Sequence, residues 1–256
     1  MSTARAKFVL FLCLLFAPSL ACAYSLEFGV GVEGVKTAYK NYDTEWTFVP
    51  AVDFDSDYIY VRDYGVGFKF INLKNDEDGY PFFTASIYTA YDDFNFNPSR
   101  ASDTQMQKLS HRWDGYFAGI RLLGVTSLGA FEATAAHDIF GHSDGWYGAL
   151  SYYLDFNADV VEFFPYLGID WADRKYNAYF YGINQKESLA SGLSTYHPKA
   201  SVAPFVGLAM VVPLYKKWEL VGNFKASYVA DTIRSSPMVG RSGIYTMDVM
   251  LSYAFE

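Results

Sequence analysis

Residues 198–212 read PKASVAPFVGLAMVV, and the apolar positions recur at every second residue. Ala200, Val202, Pro204, Val206, Leu208, Met210 and Val212 fall on one face, with Ser201, Ala203, Phe205, Gly207 and Ala209 on the other. A helix would gather its apolar residues at spacings of three and four, so this stretch predicts a strand. It is also a long strand. Strands of soluble domains usually run about 5–6 residues, whereas a tilted strand needs about 9–11 to cross a bilayer.

The two segments that follow behave alike. In 217–230, Trp218, Leu220, Gly222, Phe224, Ala226 and Tyr228 alternate with Glu219, Asn223, Lys225 and Ser227. In 244–255, Tyr245, Met247, Val249, Leu251, Tyr253 and Phe255 alternate with Thr246, Asp248, Ser252 and Ala254. Upstream, the same reading gives strands near 25–36, 46–54, 57–63, 65–72, 81–91, 113–121, 128–137, 145–154 and 160–171. The expectation is an all-β chain: a transmembrane, antiparallel, up-and-down β-barrel of about 12 strands, within a range of about 10–14. A secreted sandwich would also alternate. Its strands would be shorter, and it would not carry aromatics at both strand ends, as Trp46, Phe54, Trp113, Trp146, Trp171, Trp218, Tyr253 and Phe255 do here.

With an even strand count both termini lie on one side. The connections near 37–45, 64, 92–112, 138–144, 172–197 and 231–243 are then the outer loops, and the remaining ones are periplasmic turns. Parity turns Glu27, Glu33, Lys69, Glu132, Glu162, Asp170, Glu219, Lys225 and Asp248 inward, which describes a polar lumen of mixed charge. An acidic lumen would favour cations.

Composition agrees. Phe, Tyr and Trp make up 19% of the 256 residues, yet mean hydropathy is only +0.02. Aromatics that face lipid and alternate with Gly, Ser and carboxylates account for both figures. A net charge of −8 excludes a general nucleic-acid binder, and the aromatic content excludes a disordered chain.

The N-terminus reads as a secretory signal over residues 1–23. Arg5 and Lys7 precede the apolar run Phe8–Phe16, Pro18 and Ser19 break it, and Ala21-Cys22-Ala23 forms the cleavage site. A lipoprotein site at Cys22 would want Leu where Ser19 stands. The run is too short to span a membrane. Cleavage removes both cysteines, Cys13 and Cys22, and lowers the net charge by two, from −8 to −10. Residues 24–256 are then a single barrel domain in the outer membrane, in contact with outer-membrane lipid.

The stretch Tyr179-Phe180-Tyr181-Gly182-Ile183-Asn184-Gln185-Lys186-Glu187-Ser188 leads to Ser191-Gly192-Leu193 and Tyr196, then to the strand with which this section began. Lys217-Trp218-Glu219-Leu220, Asp231 and Ser235-Ser236-Pro237-Met238-Val239 follow. This pattern resembles the MipA/OmpV family of outer-membrane proteins, most specifically over 176–256. Phe180 and Ile183 stand where Tyr and Val are commoner, and the chain ends Phe255-Glu256 rather than on an aromatic. The resemblance marks Tyr179, Tyr181, Gly182, Glu187, Ser188, Ser191, Gly192, Leu193 and Tyr196 as a family-motif loop. It implies a non-enzymatic scaffold of the envelope, linking a lytic transglycosylase to a peptidoglycan synthase. A murein-directed role sits awkwardly with a motif loop on the outer side. A cation-preferring small-solute channel is the alternative.

No cofactor is expected. The best chemical cluster is His137-Asp138 with His142-Ser143-Asp144, which suggests a lipid hydrolase or a metal site, or else a plain polar loop. Asp53-Asp55-Asp57 and Asn75-Asp76-Glu77-Asp78-Gly79 hint at calcium but lack the EF-hand register, so solvated turns explain them better.

Overall fold

The computed structural model describes residues 25–62, 64–75, 81–158 and 160–255. The proposed signal segment and most of the Asn75–Gly79 turn lie outside these residues. Twelve strands follow one another around a closed antiparallel sheet: β1 (Ser25–Lys36), β2 (Glu45–Asp55), β3 (Ile59–Arg62), β4 (Gly65–Lys74), β5 (Pro81–Asp92), β6 (Gly115–Thr126), β7 (Gly129–Asp138), β8 (Trp146–Tyr153, resumed at Phe156–Ala158), β9 (Val161–Ala172), β10 (Ser201–Pro213), β11 (Trp218–Tyr228) and β12 (Gly243–Phe255). β12 closes on β1 from Leu26↔Phe255 to Lys36↔Tyr245, so the first and last strands end on the same rim.

Strand period fixes which face meets what. On β1, Phe28, Val30 and Val32 are exposed and the residues between them turn inward; on β10, Val202, Val206 and Leu208 are exposed while Phe205 is buried. With no water in the bilayer core, only such closed pairing satisfies the backbone of spanning strands. The predicted tryptophans Trp46, Trp113, Trp146, Trp171 and Trp218 are exposed on the outer wall at strand ends or beside them.

Proline placement follows the ladder. Pro165 lies opposite the break in β8, Pro204 lies one residue before the β10–β11 ladder begins at Phe205↔Ser227, and Pro50 lies on the side of β2 that β3 does not reach. Each sits where a missing N–H costs no ladder bond on one side.

One expectation is corrected, and the loops add detail. β3 is four residues long rather than spanning 57–63, because the chain reverses at Tyr64, which takes a left-handed φ of 55°. The long outer connections carry structure of their own. They contain α1 (Arg174–Tyr181), α2 (Gln185–Ser191), α3 (Asp231–Arg234) and two short 3-10 turns, and they bury the main apolar cluster of the molecule. Part of the aromatic content is therefore a true core, located in the loops rather than in the barrel wall.

Candidate functional site

Four connections, 37–44, 93–114, 173–200 and 229–242, converge over the mouth opposite the termini. Their buried residues include Tyr39, Tyr42, Phe96, Met106, Phe180, Ile183 and Met238, and Tyr39, Phe96, Ile183 and Met238 are wholly inaccessible. Ring packing is dense: Tyr39 lies 4.8 Å from Phe96, and Phe94 lies 5.0 Å from Phe180 in an edge-on contact. Tyr176 reaches into the barrel, where it packs on Phe117 and Tyr147 of the wall and donates its hydroxyl to Asp92 at 2.9 Å. This assembly caps the mouth.

The family-motif loop is its framework. Asp173 caps α1 by accepting from the Tyr176 N–H, and Phe180 follows Tyr176 one turn on, so both rings enter the apolar cluster. Asn184 begins α2 with a capping box: its side chain accepts from the Glu187 N–H, and Glu187 accepts from the Asn184 N–H. Gly192 closes the helix at φ 76°, a conformation that suits glycine. Ser188 Oγ donates to the Leu193 carbonyl at 2.7 Å, Ser191 Oγ to Glu187 O at 2.7 Å, and the Tyr196 hydroxyl to Thr232 O at 2.7 Å. Tyr179 accepts from the Trp113 N–H, and the Tyr181 carbonyl accepts from Ser236 Oγ at 2.7 Å. The Gly182 carbonyl accepts from Arg112. The motif residues thus tie the cap together.

Glu187 and Arg112 are both buried and meet at 2.7 Å. Burial alone would raise the Glu187 carboxyl. The Arg112 guanidinium and the N–H groups of Asn184 and Ser110 outweigh it and hold the carboxyl below its usual range. Burial pushes the hydroxyls of Tyr39, Tyr176 and Tyr181 well up, so they remain neutral. Arg112 and Asp92 were missed in the sequence because neither lies in a periodic or local motif. The Asn184-x-x-Glu187 capping pattern was a legible signal.

Below the cap several inward charges are paired or hydrogen-bonded. Lys225 bonds Asp170 at 3.1 Å and lies 4.0 Å over the Phe205 ring, Asn223 bridges Tyr166 and Asp248, and Lys69 bonds Asp55 at 2.5 Å. A cavity of about 320 Å³ remains between Glu132, Tyr153, Tyr166, Phe205 and Lys225. Asp53 pairs with Arg62 and Asp57 with Lys74, so the acidic run meets cations on the next strands.

The His137–Asp144 cluster folds as a turn. Asp138 accepts from the Ser143 hydroxyl at 3.0 Å and from the N–H groups of Phe140, Gly141, Ser143 and Asp144. His142 Nδ1 lies 2.9 Å from the Asp114 carbonyl and His137 packs on Trp146, so Ser143 is oriented by a carboxylate rather than by either ring. Among the described residues, no three His, Cys, Asp or Glu side chains are grouped as a metal site requires.

A closed antiparallel barrel with an apolar outer belt, aromatic rims and a polar interior is an outer-membrane β-barrel. The family model described as MltA-interacting protein MipA matches residues 28–255, and the chain belongs to that family. Relatives include the putative outer membrane protein YiaT of Escherichia coli K12, 27% identical with 92% of this chain and 93% of that protein covered. The MltA-interacting protein of the same strain is 28% identical, with 91% and 90% covered. Outer membrane protein OmpV of Vibrio cholerae is 23% identical, with 75% and 71% covered. Solved structures similar to the chain include the high-pH structure of Pseudomonas putida OprB, at 6% identity, a TM-score of 0.43, and 91% and 94% of the two chains covered.

Proposed function

We propose that this barrel is a non-enzymatic scaffold of the cell envelope, exported through cleavage after Ala23. Its partners are a lytic transglycosylase and a peptidoglycan synthase. The observation that carries this reading is the cap: a mouth filled by packed rings and a buried ion pair suits a closed platform better than an open passage. A relative is named for interaction with MltA, which supports the enzyme partner. Murein enzymes work in the periplasm, so they would meet the rim of short turns that carries both termini, while the family-motif residues Tyr179 to Tyr196 keep the opposite mouth shut. Crosslinking in intact cells tests this. Recovery of a murein hydrolase and synthase on residues of the terminal rim supports it, and recovery of neither rejects it. Mass spectrometry of the mature chain tests the signal, with Tyr24 expected as the first residue.

The cavity beneath the cap and the inward carboxylates Glu132, Asp170 and Asp248 favour one second reading, a cation-preferring channel that opens when the cap moves. Stepwise cation-selective currents through the unmodified barrel in planar bilayers would count for it and against a pure scaffold.

A further inference from the structure

The wall is not paired over its whole height. β2 pairs with β1 along its full length, from Ser25↔Asp55 to Val35↔Glu45, but meets β3 only at Phe54 and Asp55. The outer end of the β3–β4 hairpin lies where Val66 and Gly65 meet Thr89 and Ala90, while Tyr91 and Asp92 of β5 run on beyond it along β6. Two strands are therefore missing between β2 and the outer part of β5, about 10 Å of wall at ordinary strand spacing. Among the described residues, no backbone hydrogen bond reaches Thr47–Val52 from this side.

The opening has a frame. Above it, the 93–114 connection crosses from β5 to the loop before β2: Ala101 bridges Tyr42, Arg100 pairs with Glu45 at 2.5 Å, and Asp103 pairs with Lys40 at 3.0 Å. Below it, the hairpin tip is held on both sides: Arg62 pairs with Asp53 of β2 at 3.0 Å, Tyr116 donates to Tyr64 O at 2.6 Å, and Thr89 Oγ1 accepts from the Val66 N–H. Its outward flank is apolar: Trp46 is 61% and Phe48 68% exposed. Tryptophan marks the membrane interface, so Thr47–Val52 lie just inside the hydrocarbon of the outer leaflet.

A bare strand edge in hydrocarbon costs several kcal/mol for each unsatisfied group, so water from the lumen must reach this one. An added protein strand would also satisfy it, but Pro50 removes a donor from the middle of the edge, a known device against strand pairing. Just inside, Glu33 stands beside Thr47 in register. Its carboxyl hydrogen-bonds the Asp93 carboxyl, so the two share one proton and carry one negative charge between them, with Asp248 near enough to add a second. The site is therefore apolar on the lipid side and negative on the lumen side.

We propose that this opening is a lateral port that takes a single-chain amphiphile with a cationic head from the outer leaflet. The tail stays in the bilayer along Phe48 and Pro50, and the head enters beside Glu33. The port bypasses the cap, since it opens through the wall beneath it.

The test uses the chain from Tyr24, which has no cysteine, refolded into phosphatidylcholine vesicles. Single Thr47→Cys, Phe48→Cys and Ala209→Cys variants carry a bimane label: at the port, on the lipid face, and in the lumen away from the port. Two probes are compared, a hexadecyl ammonium and a stearate, each spin-labelled near its head. Relative to Phe48, quenching at Thr47 is expected to be at least threefold stronger with the ammonium than with the carboxylate, and quenching at Ala209 weak with both. Removing the shared charge with Glu33→Gln and Asp93→Asn together is expected to bring the ammonium down to the carboxylate level. The head-group comparison stands even if that variant fails to refold. Equal quenching by both probes, or no more at Thr47 than at Ala209, overturns the port. A disulfide-linked dimer of Ala51→Cys would place a protein strand on the edge and also overturn it.

Discussion

Arg112 Nη2 and Glu187 Oε1 lie 2.7 Å apart in the buried interior of the cap, and the same Glu187 oxygen accepts the Ser110 N–H at 3.0 Å. One carboxylate thus closes a helix turn and clamps a second loop onto it. Removing one partner of such a pair costs about 3–5 kcal/mol, because the other charge stays buried. Glu187→Ala is expected to free the 93–114 connection from the cap while the barrel stays folded. Limited proteolysis checks this, with new cuts near Ser110 and unchanged heat-modifiable gel mobility.

The same pair makes the cap acid-sensitive. The Glu187 carboxyl is held below its ordinary value of 4.5 in the fold. A depressed carboxylate contributes its stability above the unfolded-chain value and loses it as pH falls through the folded one. The cap is therefore expected to loosen below about pH 4.5, seen as faster hydrogen exchange at the Ser110 N–H. Glu187→Gln is expected to remove that acid step. A step that persists in Glu187→Gln would assign it to another group.

Phe180 joins the rings of Tyr176, Tyr179 and Phe94 in the cap. Truncating a buried Phe to Ala costs about 3–5 kcal/mol, enough to raise local opening by more than a hundredfold. Phe180→Ala is expected to give intermittent currents in planar bilayers where the parent barrel gives none. Silence in both would mean that the lumen is shut below the cap as well.

Inside the barrel, Tyr166 lies over Gly207 and Tyr60 over Gly67, each the direct cross-strand partner. A Cβ at either glycine would collide with the ring. Gly207→Val is expected to lower refolding yield through overpacking of about 1–3 kcal/mol. Adding Tyr166→Ala is expected to recover most of it. Failure of the double variant would point to the backbone rather than the ring.

Asp138 organises its turn through four backbone N–H groups and the Ser143 hydroxyl. Ser143→Ala is expected to leave phospholipid hydrolysis at background, while Asp138→Ala is expected to disorder 139–145 with no change in hydrolysis. Hydrogen exchange and a phospholipase assay on the same samples separate the two effects.

Strand number, order and facing were legible because period two is a local property: Val202, Val206 and Leu208 face lipid whatever the rest of the chain does. The rim of short turns followed from the same count. Pro50, Pro165 and Pro204 fit the same ladder, since proline cannot donate. Asn184 and Glu187, three residues apart, carry a capping-box signal for a helix start inside 172–197.

The remainder belongs to contacts between distant segments. Nothing periodic links Arg112 to Glu187, Tyr176 to Asp92, or Tyr39 to Phe96, and aromatics in a loop look the same in sequence whether they face lipid, water or one another. The shortness of β3, and with it the gap beside β2, depends on where the hairpin turns relative to strands on either side. Local alternation determined a barrel in the outer membrane. Only the tertiary structure decided that its mouth is capped and that β2 is left unpaired along much of one side, because both depend on which loop and which edge is brought against which neighbour.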